Sequence, residues 1–308
     1  MTDKPKFAEL LKKLFWSSRP ISWINTAYPF GAAYIWAAWL RDGAIHLDAN
    51  FWIGALFFLI PYNLLMYGLN DVFDYESDLK NPRKGGIEGA LLEPRWHRPM
   101  TIWSIASCIP FLAFFALTWN LASLIALAGF VFTVIAYSAK GLRFKEIPLL
   151  DSITSASHFV GPMIVGLLAA GGDLGRSFGP LTWYSIAAFT FWGMASHAFG
   201  AIQDIKADRE AGIASIATAL GARRTARFVV ALYAAATISV LFVATNIMVS
   251  TAFGVVGILY IRAARPALDL TDDECEQANR GWRKFLWLNM IAGFVVTIAL
   301  ILAMLPAN

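Results

Sequence analysis

Charge is what this chain has least of. Of its 308 residues, 15% are charged and 58% are hydrophobic, against about 25% and roughly 45–50% in soluble domains. That shortage excludes a water-soluble globule. Cysteine is scarcer still: Cys108 and Cys275 are the only two, too few for a disulfide framework or a four-ligand zinc site. The first 19 residues lack a short apolar core followed by a small-residue cleavage site. The first apolar run is therefore read as an uncleaved span, not a signal peptide.

What is abundant comes as nine apolar runs, at about 20–40, 51–72, 101–118, 120–138, 152–170, 181–202, 226–245, 248–263 and 285–305. At about 20 residues per bilayer crossing they absorb nearly all the apolar content. The expectation is an all-α integral membrane protein, one domain over 1–308, with 1–19 as a cytoplasmic amino-terminal segment. If the amino terminus lies inside, 23 of the 25 Lys and Arg residues fall on the inner side, and Arg41 and Arg176 alone lie outside. Bias of that size predicts a multi-pass cell-membrane protein with its carboxyl terminus outside. The net charge of +4 then belongs to topology and anionic lipid, and no nucleic-acid partner is expected. Trp39, Trp52, Trp103, Trp119, Trp183 and Trp282 lie near predicted span ends and read as interface anchors. Three inner loops are long, at 74–100, 204–225 and 264–284, with a shorter basic one at 140–149, which places chemistry on the inner side.

The carboxylates gather at two span ends. Asn70, Asp74 and Asp78 are spaced i, i+4, i+8, with Asp71 beside them, and Asn63, Met66 and Tyr67 extend the same polar face up the span. Asp204 and Asp208 repeat the i, i+4 spacing about 134 residues later, with His197, Gly200 and Ala201 above them. Spans one to four and five to eight read as two pseudo-repeated four-helix units plus a ninth helix, with both clusters facing a central cavity. Two carboxylates about 6 Å apart repel by roughly 3 kcal/mol at an effective dielectric near 20. Five of them need a counter-charge, and Mg²⁺ suits the site because it is commonly held through one or two carboxylates plus substrate phosphates. Arg143 and Lys145, in the segment Tyr137 to Pro148, and Arg209 beside Asp208 are placed to clamp phosphate oxygens. A charged head group at the inner face below an apolar tunnel describes a prenyl diphosphate.

With NDVFDYESD at 70–78, DIKADREAG at 204–212, YSAKGLRFKEIP at 137–148 and Arg19-Pro20 before the first span, the chain resembles the UbiA superfamily of intramembrane prenyltransferases. The resemblance covers essentially the whole chain. It implies a helical bundle, two Mg²⁺ ions bridging an allylic diphosphate, and prenyl transfer to a lipophilic acceptor. Carried over by position, Asn70, Asp71, Asp74, Asp78, Asp204 and Asp208 belong to the metal site. Asp71, Asp74, Asp204 and Asp208 are the catalytic set, and Asn70, Arg143, Lys145 and Arg209 face the diphosphate. Many relatives have proline where Lys140 or Gly141 stands, and here the pair Arg98-Pro99 is delayed by a glycine-rich basic insertion at 79–90. That insertion looks like the lycopene elongase branch, which builds C50 carotenoids.

The expected chemistry is ionisation of the diphosphate followed by capture of a dimethylallyl cation in a dry cavity. Tyr67, Phe73, Tyr137, Phe159 and Phe199 are the aromatic candidates to face that cation. Asn25, Asn63, Tyr67, Tyr137, His158 and His197 are the expected pocket residues, the two histidines because ionisable groups deep in spans mark sites by default. Two rival readings are an aromatic, menaquinone-type prenyltransferase and, outside enzymes, a transporter, whose coupling charges usually sit near the midplane.

Overall fold

The computed structural model describes residues 7–79, 91–171, 177–244 and 246–305, except for the side chains of Ser77, Asp78 and Leu286. Apart from Leu79, the insertion at 79–90 lies outside the described residues, as do Arg176 and the Asp78 side chain. Every regular element among the described residues is helical. The chain divides into two compact units. One comprises 1–38, 44–143 and 161–171, the other 39–43, 144–160 and 172–308. The division at Arg143 and Phe144 follows the fourth predicted run.

The first unit holds α1 (Phe7–Ser17), most of α2 (Ile24–Asp42), α3 (Ala49–Leu59), α4 (Pro61–Phe73), α5 (Tyr75–Asp78), α6 (His97–Ala106), α7 (Ile109–Thr118), α8 (Leu121–Ser138) and the end of α9 (Leu150–Ala169). The run 51–72 folds as two helices because Pro61 lacks an N–H and its ring crowds the preceding turn. The break frees carbonyls, and buried Asn63 covers them. Its Nδ2 lies 2.8 Å from the Phe58 carbonyl, 3.1 Å from that of Leu59 and 2.6 Å from Thr26 Oγ1. Thr26 Oγ1 in turn donates to Phe58 at 2.7 Å. Asn63, expected to line a pocket, is therefore a splint for the helix break.

An aromatic core fills the far part of this unit. Phe30, Phe57, Phe58, Tyr62 and Phe115 are fully buried, and Trp119 stacks on Phe115 with ring centroids 3.8 Å apart. Trp119 is thus a core residue and not an interface anchor, because Phe115, one turn earlier, offers it a parallel face. Trp52, Trp103 and Trp183 are well exposed, as boundary residues are. α2 and α9 touch at their backbones: a side chain at Gly166 would collide with the Phe30 carbonyl.

The second unit contains the start of α9 with α10 (Pro180–Ile202), α11 (Ile205–Ala211), α12 (Ile216–Leu220), α13 (Ala222–Leu241), α14 (Ile247–Ala264) and α15 (Asn279–Met304). Small residues let its helices close up. Ala195, Ala198 and Ile202 pack with Ala226, Val229 and Tyr233 of α13 and with Tyr260, Ala263 and Ala264 of α14. Asn246 caps α14 by accepting from the Val249 N–H at 3.0 Å, and Ser215 and Thr218 form a capping box on α12. The ninth run is part of this unit. Phe285 stacks on Trp192 at 5.6 Å, and Asn289 Oδ1 accepts from the Tyr260 hydroxyl at 2.8 Å.

Seven of the nine predicted runs fall in described helices long and apolar enough to cross a membrane. The other two coincide with α2 and α10, which are helical throughout and carry Asn25, Thr26 and Tyr28 in one and Thr190, Ser196 and His197 in the other.

Candidate active site

The first acidic segment sits where α4 ends. Asp74 closes the helix, its N–H bonded to the Asn70 carbonyl at 2.9 Å. Asn70 Nδ2 donates to Asp74 Oδ2 at 2.6 Å and to Ser138 Oγ, the last residue of α8, at 3.0 Å. Its amide nitrogen is thereby turned toward protein and its Oδ1 away from both partners. Arg143, five residues past α8 and in a left-handed conformation (φ 41°), brings a guanidinium nitrogen to 3.8 Å from Asp74 Oδ1. The spacing of Asn70 and Asp74 thus gives one face, joined to α8 through Ser138 and Arg143.

Asp71 is a quarter-turn away and differently employed. Its buried carboxylate accepts from Arg19 at 3.1 Å, and its Oδ2 has no hydrogen-bond partner among the described residues. Arg19 also has left-handed backbone (φ 50°), imposed where α1 turns into the Pro20–Ser22 helical turn. Its guanidinium lies 4.2 Å over the Tyr67 ring, an arrangement that favours a cation. Tyr67, expected in the pocket, is therefore a platform for Arg19. Asn25 and Tyr137 are half-buried.

The second acidic segment follows α10. Asp204 leads into α11, the Asp208 N–H bonds the Asp204 carbonyl at 2.8 Å, and Gly212 (φ 71°) ends the helix in the left-handed region that glycine tolerates. Both carboxylates are half-buried. Lys145 is close enough to feel Asp208: burial pushes its ammonium down to about 8, with Glu146 and Asp208 pulling it back up. Arg209 has other work. It bridges Asp272 at 2.8 Å and donates to the Thr218 carbonyl at 3.2 Å, while Asp272 accepts from the Ala222 N–H at 2.7 Å. Arg209, expected on the diphosphate, braces α11 against the segments around α12 and α13.

His197 brings in a residue that sequence reasoning missed. Its Nε2 lies 3.6 Å from Oδ2 of the fully buried Asp151. Asp151 also accepts from the N–H groups of Ser152 and Ile216, each at 2.6 Å. The available signal was an aspartate opening an apolar helix. His158 is buried in α9. Phe199, an expected aromatic face, is fully buried against α14 and α15 and fills core, whereas Phe159 contacts Trp192 edge-on at 6.3 Å.

Among the described residues, no three His, Cys, Asp or Glu side chains form a cluster able to hold a metal ion. The side-chain donors that the two acidic segments offer are oxygens, from Asn70 and Asp74 at one and from Asp204 and Asp208 at the other. Such a set suits a hard cation that takes the rest of its shell from water and phosphate, and does not suit zinc.

Comparison with known proteins identifies the family. The UbiA prenyltransferase family matches residues 30–291. A C(50) β-cyclic carotenoids biosynthesis protein of Dietzia sp. is 50% identical over 295 residues, which is 96% of this chain and 66% of that protein. The chain thus spans just under two thirds of that relative. A lycopene elongase/hydratase of Corynebacterium glutamicum is 47% identical over 293 residues, 95% of this chain and 98% of that one. A UbiA homolog from Archaeoglobus fulgidus, bound to DMAPP and Mg²⁺, shares the fold with a TM-score of 0.62 at 20% identity, covering 93% of this chain and 99% of its own. A family match over most of the length and relatives near half identity make the chain a member of the UbiA prenyltransferase family.

Proposed function

We propose that this prenyltransferase moves a dimethylallyl group from its diphosphate to the ends of lycopene, as a lycopene elongase of C50 carotenoid synthesis. One observation carries the reading: the 47% identity to the Corynebacterium glutamicum lycopene elongase/hydratase runs over nearly the whole of both chains. In this reading the chain crosses the membrane nine times, with its amino terminus inside. Asn70 Oδ1 and Asp74 would hold one Mg²⁺ ion at the first segment, which Asp78 extends, and Asp204 and Asp208 would hold one at the second, each ion taking the rest of its shell from water and diphosphate oxygens. When bound with the diphosphate, Mg²⁺ screens the charge that grows on the leaving group.

The chain's own side chains do the rest. Arg143, already beside Asp74, and Lys145, in the field of Asp208, present cationic N–H groups to diphosphate oxygens. Asp71 holds Arg19 in place over Tyr67. The apolar spans exclude water while the allylic cation exists. The alkylated polyene then carries a tertiary cation, which loses a proton or takes up water.

The test is a product measurement. Extracts of lycopene-making cells that carry this protein should contain carotenoids heavier by one or two C5 units, with or without water, and EDTA should stop label transfer from dimethylallyl diphosphate in isolated membranes. Transfer to a dihydroxynaphthoate with none to lycopene would overturn the acceptor, and metal-independent passage of an unmodified solute would overturn the enzyme.

Lys145 supplies a pH signature. An ammonium with a pKa of about 8 is charged below that pH and neutral above it, so affinity for the diphosphate should fall as pH rises through 8. Steady-state kinetics should show KM for dimethylallyl diphosphate rising by about tenfold over that interval in the wild type, and staying flat in Lys145→Arg, whose guanidinium keeps its charge. Parallel profiles for the two proteins would remove Lys145 from the diphosphate site.

A further inference from the structure

The first described helix has more apolar surface than the protein covers. On a helical projection, Leu10, Leu14, Phe7, Leu11 and Phe15 of α1 form one continuous arc of about 140°, and Ala8, Lys12, Trp16, Glu9, Lys13 and Ser17 occupy the remainder. One flank is satisfied: Leu10 and Leu14 pack against the cluster of Leu64, Leu92, Trp96 and Met100. The other is bare, with Phe7 65%, Leu11 50% and Phe15 47% exposed. Glu9 is turned to Arg95 at 3.7 Å, so the other side presents its two lysines with Trp16, 54% exposed, between them.

What covers the bare flank follows from its continuation. Past the turn at Arg19, Ile21 and Ile24 are each 45% exposed, and Ile24 opens α2, the first of the proposed crossings. The exposed stripe of α1 therefore runs on into surface that faces lipid. A helix with one apolar flank, flanking lysines and a tether to a span has the composition of an in-plane interfacial helix, which binds through buried apolar area and attraction to anionic head groups.

We infer that α1 is seated in the inner leaflet, with Phe7, Leu11 and Phe15 at the level of the acyl boundary and Lys12 and Lys13 among anionic phosphates. Arg19 lies two residues past its other end, so the leaflet holds the arm that carries the Arg19–Asp71 pair. The inference rests on the proposed inside amino terminus, not on the acceptor.

The experiment uses the full-length protein in vesicles of phosphatidylcholine, or of equal parts phosphatidylcholine and phosphatidylglycerol, with doxyl-labelled lipid as quencher. An environment-sensitive fluorophore is placed at Leu11→Cys or at Lys12→Cys; Cys108 and Cys275 are buried and take up little reagent. The Leu11 label should be quenched about twofold more than the Lys12 label. Its quenching should deepen with phosphatidylglycerol and lose that response in the Lys12→Gln/Lys13→Gln background. Equal quenching at the two positions overturns the seated helix, and an identical response in both lipids overturns the anionic preference. Because the readout is optical, failure here and failure of the lycopene reading are distinguishable.

Discussion

Asp74→Ala should reduce prenyl transfer by about 10³-fold or more while the protein still inserts and folds. The carboxylate touches Asn70 at 2.6 Å and faces Arg143 at 3.8 Å, so its removal takes away an oxygen donor and the partner that orients the cation beside it. The fold loses little, because Asp74 closes α4 through its backbone N–H, which alanine retains. Asp204→Ala should behave alike, since that residue also meets its helix through backbone groups. Single-turnover transfer of labelled dimethylallyl diphosphate, beside a thermal unfolding curve for each variant, checks both points. Near-normal turnover in either variant would sink the assignment of the acidic segments to metal and diphosphate.

The second large effect concerns stability. Asp71 is buried and its charge is balanced by Arg19; deleting one member of such a pair strands the other, at a cost of about 3–5 kcal/mol. Arg19→Met and Asp71→Ala should each lower the unfolding midpoint in detergent clearly, and Arg19→Met/Asp71→Leu should recover most of the loss. A double variant no more stable than the singles would show that the pair is not the source. The same protein separates two roles of Asp71: stable and active, it marks a bracing residue, whereas stable and inactive, it marks a metal ligand.

Much of this was legible before the structure. Long apolar runs bounded by charge or by Asn and Asp caps map onto helices within a few residues, because in lipid a backbone has few alternatives to the helix. The i, i+4 spacing of Asn70 and Asp74 correctly implied a shared face, since helical geometry alone decides it. Pairings across sequence were not legible. Nothing in the order of residues ties Arg19 to Asp71, Arg209 to Asp272 or His197 to Asp151; each depends on which helices pack. Asn63 shows a subtler limit. Its polarity in an apolar run suggested a ligand contact, but Pro61 two residues earlier had created carbonyls that needed a donor.

The end of α4 carries one more implication. Thirteen residues of aligned peptide dipoles terminate at Asp74, so a negative side chain stands at the negative pole of the helix, where it is disfavoured by about 0.3–1 kcal/mol. Arg143, from 3.8 Å, and the Asn70 amide, from 2.6 Å, offset this, and a bound cation would gain from the side chain and the helix pole at once. Loading and folding should reinforce each other, with the enzyme at its most robust when its substrate is in place.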